Sequence, residues 1–241
     1  PEVLTNELFT LNYRKDASPS SSLLEAKAYG AMVNRHAREY SDWNVHPKAE
    51  RRLKIGLVSA DIRNHPVGFF LESILEQFRN DETKLDIHVY CNSLRSDDVT
   101  ERVRGYCSAW HGVTGLSDSQ LAKRIHNHAI DLLVDLSGHT AGTRLGAFAW
   151  KPAPVQVTWL GYFATTGVAQ IDYLIADSVT LLHSQEPFYT EKIWRLPETR
   201  LCFTAPNIKL EVGPLPCLSS GHVTFGCFSN AAKLNAEVLS T

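Results

Sequence analysis

Leu53-Lys54-Ile55-Gly56-Leu57-Val58-Ser59, followed at once by Ala60-Asp61-Ile62-Arg63-Asn64-His65-Pro66-Val67-Gly68, is the stretch on which the fold turns. The first seven residues read as a strand. Its centre, IGLV, is apolar at successive positions, so it offers a buried surface on both faces. Residues 130–136 (IDLLVDL) have the same character. Strands buried on both faces occur in parallel sheets covered by helices.

Downstream, short apolar runs alternate with amphipathic stretches. Helices are predicted over 68–79, 99–109, 117–128 and 144–150. Strands are predicted over 85–91 (LDIHVYC), 155–160 (VQVTWL), 173–176, 193–196 and 223–228. This alternation predicts an α/β, Rossmann-like, doubly wound parallel sheet. Right-handed crossovers would set the functional loops at the carboxyl ends of the strands.

Upstream, residues 1–50 read as a helical N-terminal segment. Ser22 and Glu25 have capping-box spacing. Ala26, Tyr29, Val33, Ala37 and Tyr40 then form one apolar stripe, ending near Trp43 to Pro47, and a short helix is expected near 6–13. Residues 51–205 form the main lobe. The Pro-, Gly- and Ser-rich stretch 206–221 reads as a linker. Residues 222–241 read as the truncated start of a second Rossmann-like lobe: a strand over 222–228, a turn at Ser229-Asn230 and a helix from about Asn235. A lone strand and part of a helix cannot bury a core, so the rest of that lobe is expected elsewhere.

The chain has 241 residues, 44% of them apolar, enough for one large domain with additions. The net charge of −2 gives no lobe-wide cationic surface, which argues against nucleic acid. No apolar run approaches the roughly 18 residues a membrane span needs, and the first residues do not resemble a signal peptide. None of the five cysteines lies in a C-x-x-C pair; Cys91, Cys202 and Cys227 fall in or beside apolar runs. Buried free thiols in a cytoplasmic, reducing setting are expected.

Three loops at strand ends are candidates for chemistry. The first, residues 60–68, packs Asp61, Arg63 and His65 just before a helix, whose N-terminus favours an anion or a sugar hydroxyl. An ordinary polar loop would look the same. The second is Ser137-Gly138-His139-Thr140-Ala141-Gly142-Thr143-Arg144; the third is Gly161-Tyr162-Phe163-Ala164-Thr165-Thr166-Gly167. Their glycines allow close backbone approach to a ligand, and equally suit plain turns. The P-loop, the dinucleotide fingerprint after the first strand, G-x-S-x-G and H-E-x-x-H are all missing from the sequence. No D-x-D pair is present to hold a metal on a nucleotide-sugar. His126 and His128, two apart at a helix end, read as surface residues on different faces.

Three strings carry a family resemblance: Asp61-Ile62-Arg63-Asn64-His65-Pro66-Val67, residues 151–162 (KPAPVQVTWLGY) and residues 225–234 (FGCFSNAAKL). In this order they resemble the O-linked N-acetylglucosamine transferases, bacterial members more than animal ones, from about Leu53 to the end, with a weaker echo in residues 8–13. The resemblance implies a GT-B architecture of two Rossmann-like lobes around the active site. It implies inverting, metal-independent transfer of N-acetylglucosamine from UDP-GlcNAc to Ser or Thr hydroxyls of acceptor proteins, with tetratricopeptide repeats upstream. By the same resemblance, His65 lies beside the sugar as base or as donor-orienting group, and Asp61 joins a proton relay. Pro66, Val67, Leu160 and Gly161 contact the substrate, Asn230 flanks the nucleotide, and Lys233 neutralises the leaving diphosphate. Val67 stands where animal members carry Thr, so a hydroxyl contact is lost. The isolated chain is expected to transfer no sugar, since most of the nucleotide pocket would belong to the second lobe. The competing readings are a plant-type protein O-fucosyltransferase using GDP-fucose, which Asn64-His65-Pro66 disfavours, and a non-catalytic protein-docking lobe, against which Asp61, His65 and Lys233 count.

Overall fold

The computed structural model describes residues 1–14, 16–43, 51–80, 84–206, 208–228 and 234. They belong to two units, Pro1–Thr204 and Ala205–Thr241.

The first unit is built on seven strands: β1 (Leu53–Ser59), β2 (Leu85–Cys91), β3 (Ala109–Gly112), β4 (Leu132–Asp135), β5 (Val155–Thr158), β6 (Tyr173–Ala176) and β7 (Lys192–Arg195). All neighbours run parallel, in the order β3-β2-β1-β4-β5-β6-β7. The order reverses between β1 and β4, which creates a crevice beyond their carboxyl ends.

Alternate residues of the central strands feed two apolar layers. Val58, Tyr90 and Leu133 belong to one layer, Leu57, Val89 and Val134 to the other. The first layer is closed by α1 (Glu2–Leu11), α2 (Pro19–Asn34), α5 (Asp118–Asn127) and α6 (Leu145–Phe148). The second is closed by α3 (Pro66–Asn80) and α4 (Asp98–Tyr106). A sheet covered on both faces is what the two-sided apolar runs demand.

Helix 99–109 is shorter than its pattern suggested. Cys107 turns the chain extended, at φ −100° and ψ 148°. The next residues form the edge strand β3, in which His111 pairs with Tyr90. AWHG is too short and too evenly half-buried to show a strand period. In the N-terminal segment the cap lies earlier than Ser22. Ser18 accepts from Ser21 N–H, and Ser21 returns the bond; Pro19 follows the cap, where its fixed φ suits a first turn. Helix α2 stops at Asn34. Tyr40 lies beyond it, donating its N–H to Trp150 O at 2.9 Å and stacking on His126 at 4.0 Å. His126 is therefore packed, and His128 lies 2.8 Å from Tyr90 Oη, so neither is a solvated surface residue. Pro47 lies outside the described residues.

The helical segment is seated by backbone on backbone. A Cβ on Gly30 of α2 would fall 1.9 Å from Gly167 O, and one on Gly167 would fall 1.9 Å from Ala26 O. Gly167 also has φ +71°, so glycine is required there on two counts.

In the second unit, α7 (Cys217–Ser220) ends on left-handed Gly221. The strand expected over 222–228 is not formed, and Phe225 and Phe228 are exposed. The physical reason is that no described strand pairs with it, and an unpaired strand has no ladder to satisfy its backbone. Asn230, Lys233 and the helix start near Asn235 lie outside the described residues. Of the three cysteines expected to be buried, only Cys91 is; Cys202 and Cys227 are exposed. Their runs do not lead into the sheet.

Candidate active site at the sheet's switch point

The loop after β1 leads directly into α3. The His65 carbonyl accepts the Phe69 N–H at 3.1 Å, so His65 takes the N-cap position and Pro66 the first helical one. Its Nδ1 accepts the Val67 N–H at 3.3 Å. The imidazole thus does the work of a capping side chain. Because Nδ1 accepts, the neutral ring carries its proton on Nε2. Burial of the half-exposed ring pushes the His65 pKa below its ordinary value; Asp61 opposes this and Arg63 adds to it.

Asp61 is buried. Its Oδ1 is held by Arg63 Nη2 at 2.9 Å, and its N–H donates to Ser59 Oγ at 2.9 Å. In this arrangement Asp61 pairs with Arg63 and not with His65. The loop is also tied from outside. Asp97, the N-cap of α4, uses Oδ1 to accept Thr100 N–H and Oδ2 to accept Asn64 N–H at 2.7 Å. A Cβ on Gly68 would meet Arg63 O at 2.1 Å, so α3 packs tightly under the loop.

On the other side of the switch point, Leu160 has φ +66° and is buried in the same apolar layer as Val67. Gly161 follows. A Cβ there would fall 2.1 Å from Leu136 O, at the end of β4. Gly138 is closed against Tyr162 in the same way, and Gly142 against Ala60. The loops after β1, β4 and β5 therefore meet at the carboxyl end of the sheet.

Buried acids hold these loops in place. Asp135 accepts from Ser137 N–H, Gly138 N–H and the Thr158 hydroxyl, at 3.1, 2.8 and 2.8 Å. Its full burial nevertheless raises its pKa to about 6. Glu191 accepts from Thr165 Oγ1 and from both the N–H and the hydroxyl of Thr166. His139 Nε2 donates to Thr166 O at 2.8 Å, with its ring between Tyr29 and Tyr162, and burial lowers its pKa to about 4. Tyr162 in turn receives the Asn12 amide at 2.9 Å, which links α1 to the third loop.

His65, Asp61, Pro66, Val67, Leu160 and Gly161 are thus at the same carboxyl end of the sheet, while Lys233 and Asn230 lie outside the described residues. Sequence reasoning missed Asp97, Asp135 and Glu191. Only Asp97 had a local signal, since Asp followed by Thr three residues on is a cap pattern. A concavity of about 870 Å³ lies beside these strand ends, between the Thr140–Arg144 turn and the first turn of α1. It contains none of His65, Leu160 or Gly161. Those groups lie instead in the loops that follow β1 and β5.

Comparison with known proteins bears on residues 20–204, which match the model of glycosyl transferase family 41. The chain is 35% identical over 97% of its length to a probable UDP-N-acetylglucosamine–peptide N-acetylglucosaminyltransferase SPINDLY of Arabidopsis thaliana, and 34% identical over 97% to its namesake from Petunia hybrida. It covers only 26% and 25% of those two proteins. In structure it is similar to a mutant O-GlcNAc transferase of Thermobaculum terrenum, with a TM-score of 0.77 and 36% identity, over 83% of this chain and 38% of that one. On the family match and on relatives sharing more than 30% of its residues, the chain belongs to glycosyl transferase family 41.

Proposed function

We propose that this chain supplies the first catalytic lobe of an inverting protein O-glycosyltransferase that moves N-acetylglucosamine from UDP-GlcNAc to Ser or Thr hydroxyls of acceptor proteins. The observation that carries this reading is the meeting of the β1, β4 and β5 loops at the switch point, where His65 caps α3 and Val67, two residues on, shares an apolar layer with Leu160. The names of the relatives support the donor and the acceptor class.

The reaction needs a sugar held in place, a proton taken from the attacking hydroxyl, and a diphosphate stabilised as it leaves. His65 suits the first task. Its Nε2–H donates to a sugar or phosphate oxygen while Nδ1 stays on the backbone, so the ring orients the donor and does not serve as base in this tautomer. Gly161, whose missing side chain lets the β5 loop close on Leu136 O, fixes the turn that would face the acetamido group. Lys233 and Asn230 are proposed to reach the diphosphate, with no metal required. Asp61, held by Arg63, would set the field around His65. Acceptor proteins, upstream tetratricopeptide repeats and a cytoplasmic setting complete the proposal. Among the described residues no helix is long and apolar enough to cross a membrane.

The test is a radiolabelled donor panel on the full-length enzyme, UDP-N-acetylglucosamine against GDP-fucose. Transfer of N-acetylglucosamine is expected; transfer of fucose alone would replace the donor. Lys233→Ala should cost roughly 2–4 kcal/mol in transition-state stabilisation, as for one preorganised charge-stabilising group. Unchanged rates in both Lys233→Ala and His65→Ala would remove the site assignment.

A further inference from the structure

We propose that His88, His111 and His128 bind a borderline divalent transition metal, zinc by preference, which clips β2, β3 and the end of α5 together. The site is separate from the switch-point crevice. His88 and Tyr90 lie on one face of β2, and β3 adds His111 beside them, paired with Tyr90 in register. Helix α5 runs across that face and delivers His128 as its C-cap.

The three rings are mutual neighbours, with centroids 5.6 Å (His88–His111), 4.6 Å (His111–His128) and 5.9 Å (His88–His128) apart. One ring nitrogen of each lies within 4.8 Å of the other two. His111 Nε2 is 3.4 Å from His88 Nδ1. Two nitrogens bound to one tetrahedral zinc at about 2.0–2.1 Å sit about 3.3 Å apart, so this pair already has the required bite. His128 already has a ring nitrogen within 4.8 Å of both others, so closing by at most about 1.5 Å to that bite completes the triad.

The surroundings select the ion. Three imidazoles and no carboxylate in the ligand set suit zinc, nickel or copper, not calcium or magnesium. Asp86 Oδ2 is 3.5 Å from His88 Nε2, the outer carboxylate that turns Nδ1 toward a metal. Tyr90 Oη is 2.8 Å from His128 Nδ1 and restrains that ring. All three histidines are half-buried, so an ion has access and water can fill the fourth position. Two cations work against the site. Lys54 Nζ donates to His128 O at 3.0 Å, and Arg124 Nη1 donates to Gly112 O at 3.4 Å. They lower the affinity without removing a ligand.

Chelator-treated full chain is titrated with zinc chloride by calorimetry and with cobalt chloride by absorbance. One ion per chain is expected, with the visible bands of tetrahedral cobalt and no thiolate charge-transfer band. His111→Gln should weaken binding by at least about 100-fold, and Asp86→Asn by about 10- to 100-fold, as for loss of an outer-sphere partner. Arg124→Gln should tighten it. Imidazole 15N shifts of the wild-type chain on zinc addition give the same answer should His111→Gln fail to fold; all three histidines should move together. No zinc binding by the wild type, binding undiminished in His111→Gln, a thiolate band, or shifts at other histidines would each overturn the proposal.

Discussion

His65 accepts the Val67 amide at Nδ1, and that contact decides which proton the ring can offer. Protonation would put a hydrogen on Nδ1 and cancel the bond. On the proposed donor-orienting role, activity should follow the neutral ring. Because burial sets the pKa below the ordinary histidine value, turnover should hold as pH falls past about 6.5 and decline only through the lower value. Initial rates across pH on the full-length enzyme check this; a decline centred at or above the ordinary value contradicts it. His65→Ala should lower kcat by at least about 100-fold, the usual cost of losing a positioning group. Gly161 is a second sensitive position. A methyl group there meets Leu136 O at 2.1 Å, so Gly161→Ala should destabilise by roughly 1–3 kcal/mol, an overpacking cost, read from the urea midpoint. His65 and Gly161 were legible in the sequence because each stands in a short string that a resemblance can recognise. Asp135 and Glu191 were not, because each is defined by contacts to distant segments: Asp135 to Thr158, Glu191 to Thr165 and Thr166.

Among the secondary-structure elements, α4 matters to the site although it contributes no group to it. Its N-cap, Asp97, also restrains Asn64, the neighbour of His65. Asp97→Ala should cost about 1 kcal/mol of stability through the lost cap and lower kcat more than that loss explains. Comparing thermal midpoints with steady-state rates separates the two. If rate and stability fall only in proportion, the loop is held by other contacts. The long elements β1, β2 and α3 were legible within a residue or two, since two-sided apolar runs and amphipathic stretches mark them plainly. The edge strand β3 was not. Four half-buried residues give no period, and only the ladder to β2 makes them a strand. Residues 222–228 erred the other way, having a strand's composition without a described partner.

Taken whole, the first unit contains ionisable groups whose burial pulls stability in opposite directions with pH. His139 is fully buried and its pKa is lowered to about 4. The unfolded chain binds its proton first, so this group's contribution is intact above about 6.5 and is lost as pH falls toward 4. At pH 5 the loss is about 2 kcal/mol. Asp135, raised to about 6, has the opposite sign. The folded state binds the proton first, so acidification through 6 returns about 1 kcal/mol by pH 5. Urea midpoints at pH 7 and pH 5 should thus fall only modestly. The fall should become shallower in His139→Gln and steeper in Asp135→Asn. Equal slopes in all three proteins would show that neither group governs acid sensitivity. The doubly wound class was legible, because alternating elements leave few topologies; the strand order and its switch point needed the ladder.

The seat between Gly30 and Gly167 has an evolutionary consequence. Each position touches main chain, and neither has a side chain left to trim. A mutation at one cannot be rescued at the other by shrinking a neighbour. The helical segment and the sheet should therefore be inherited as a matched pair, and chimaeras that join the helices of one relative to the sheet of another should work only when both partners retain this keyhole.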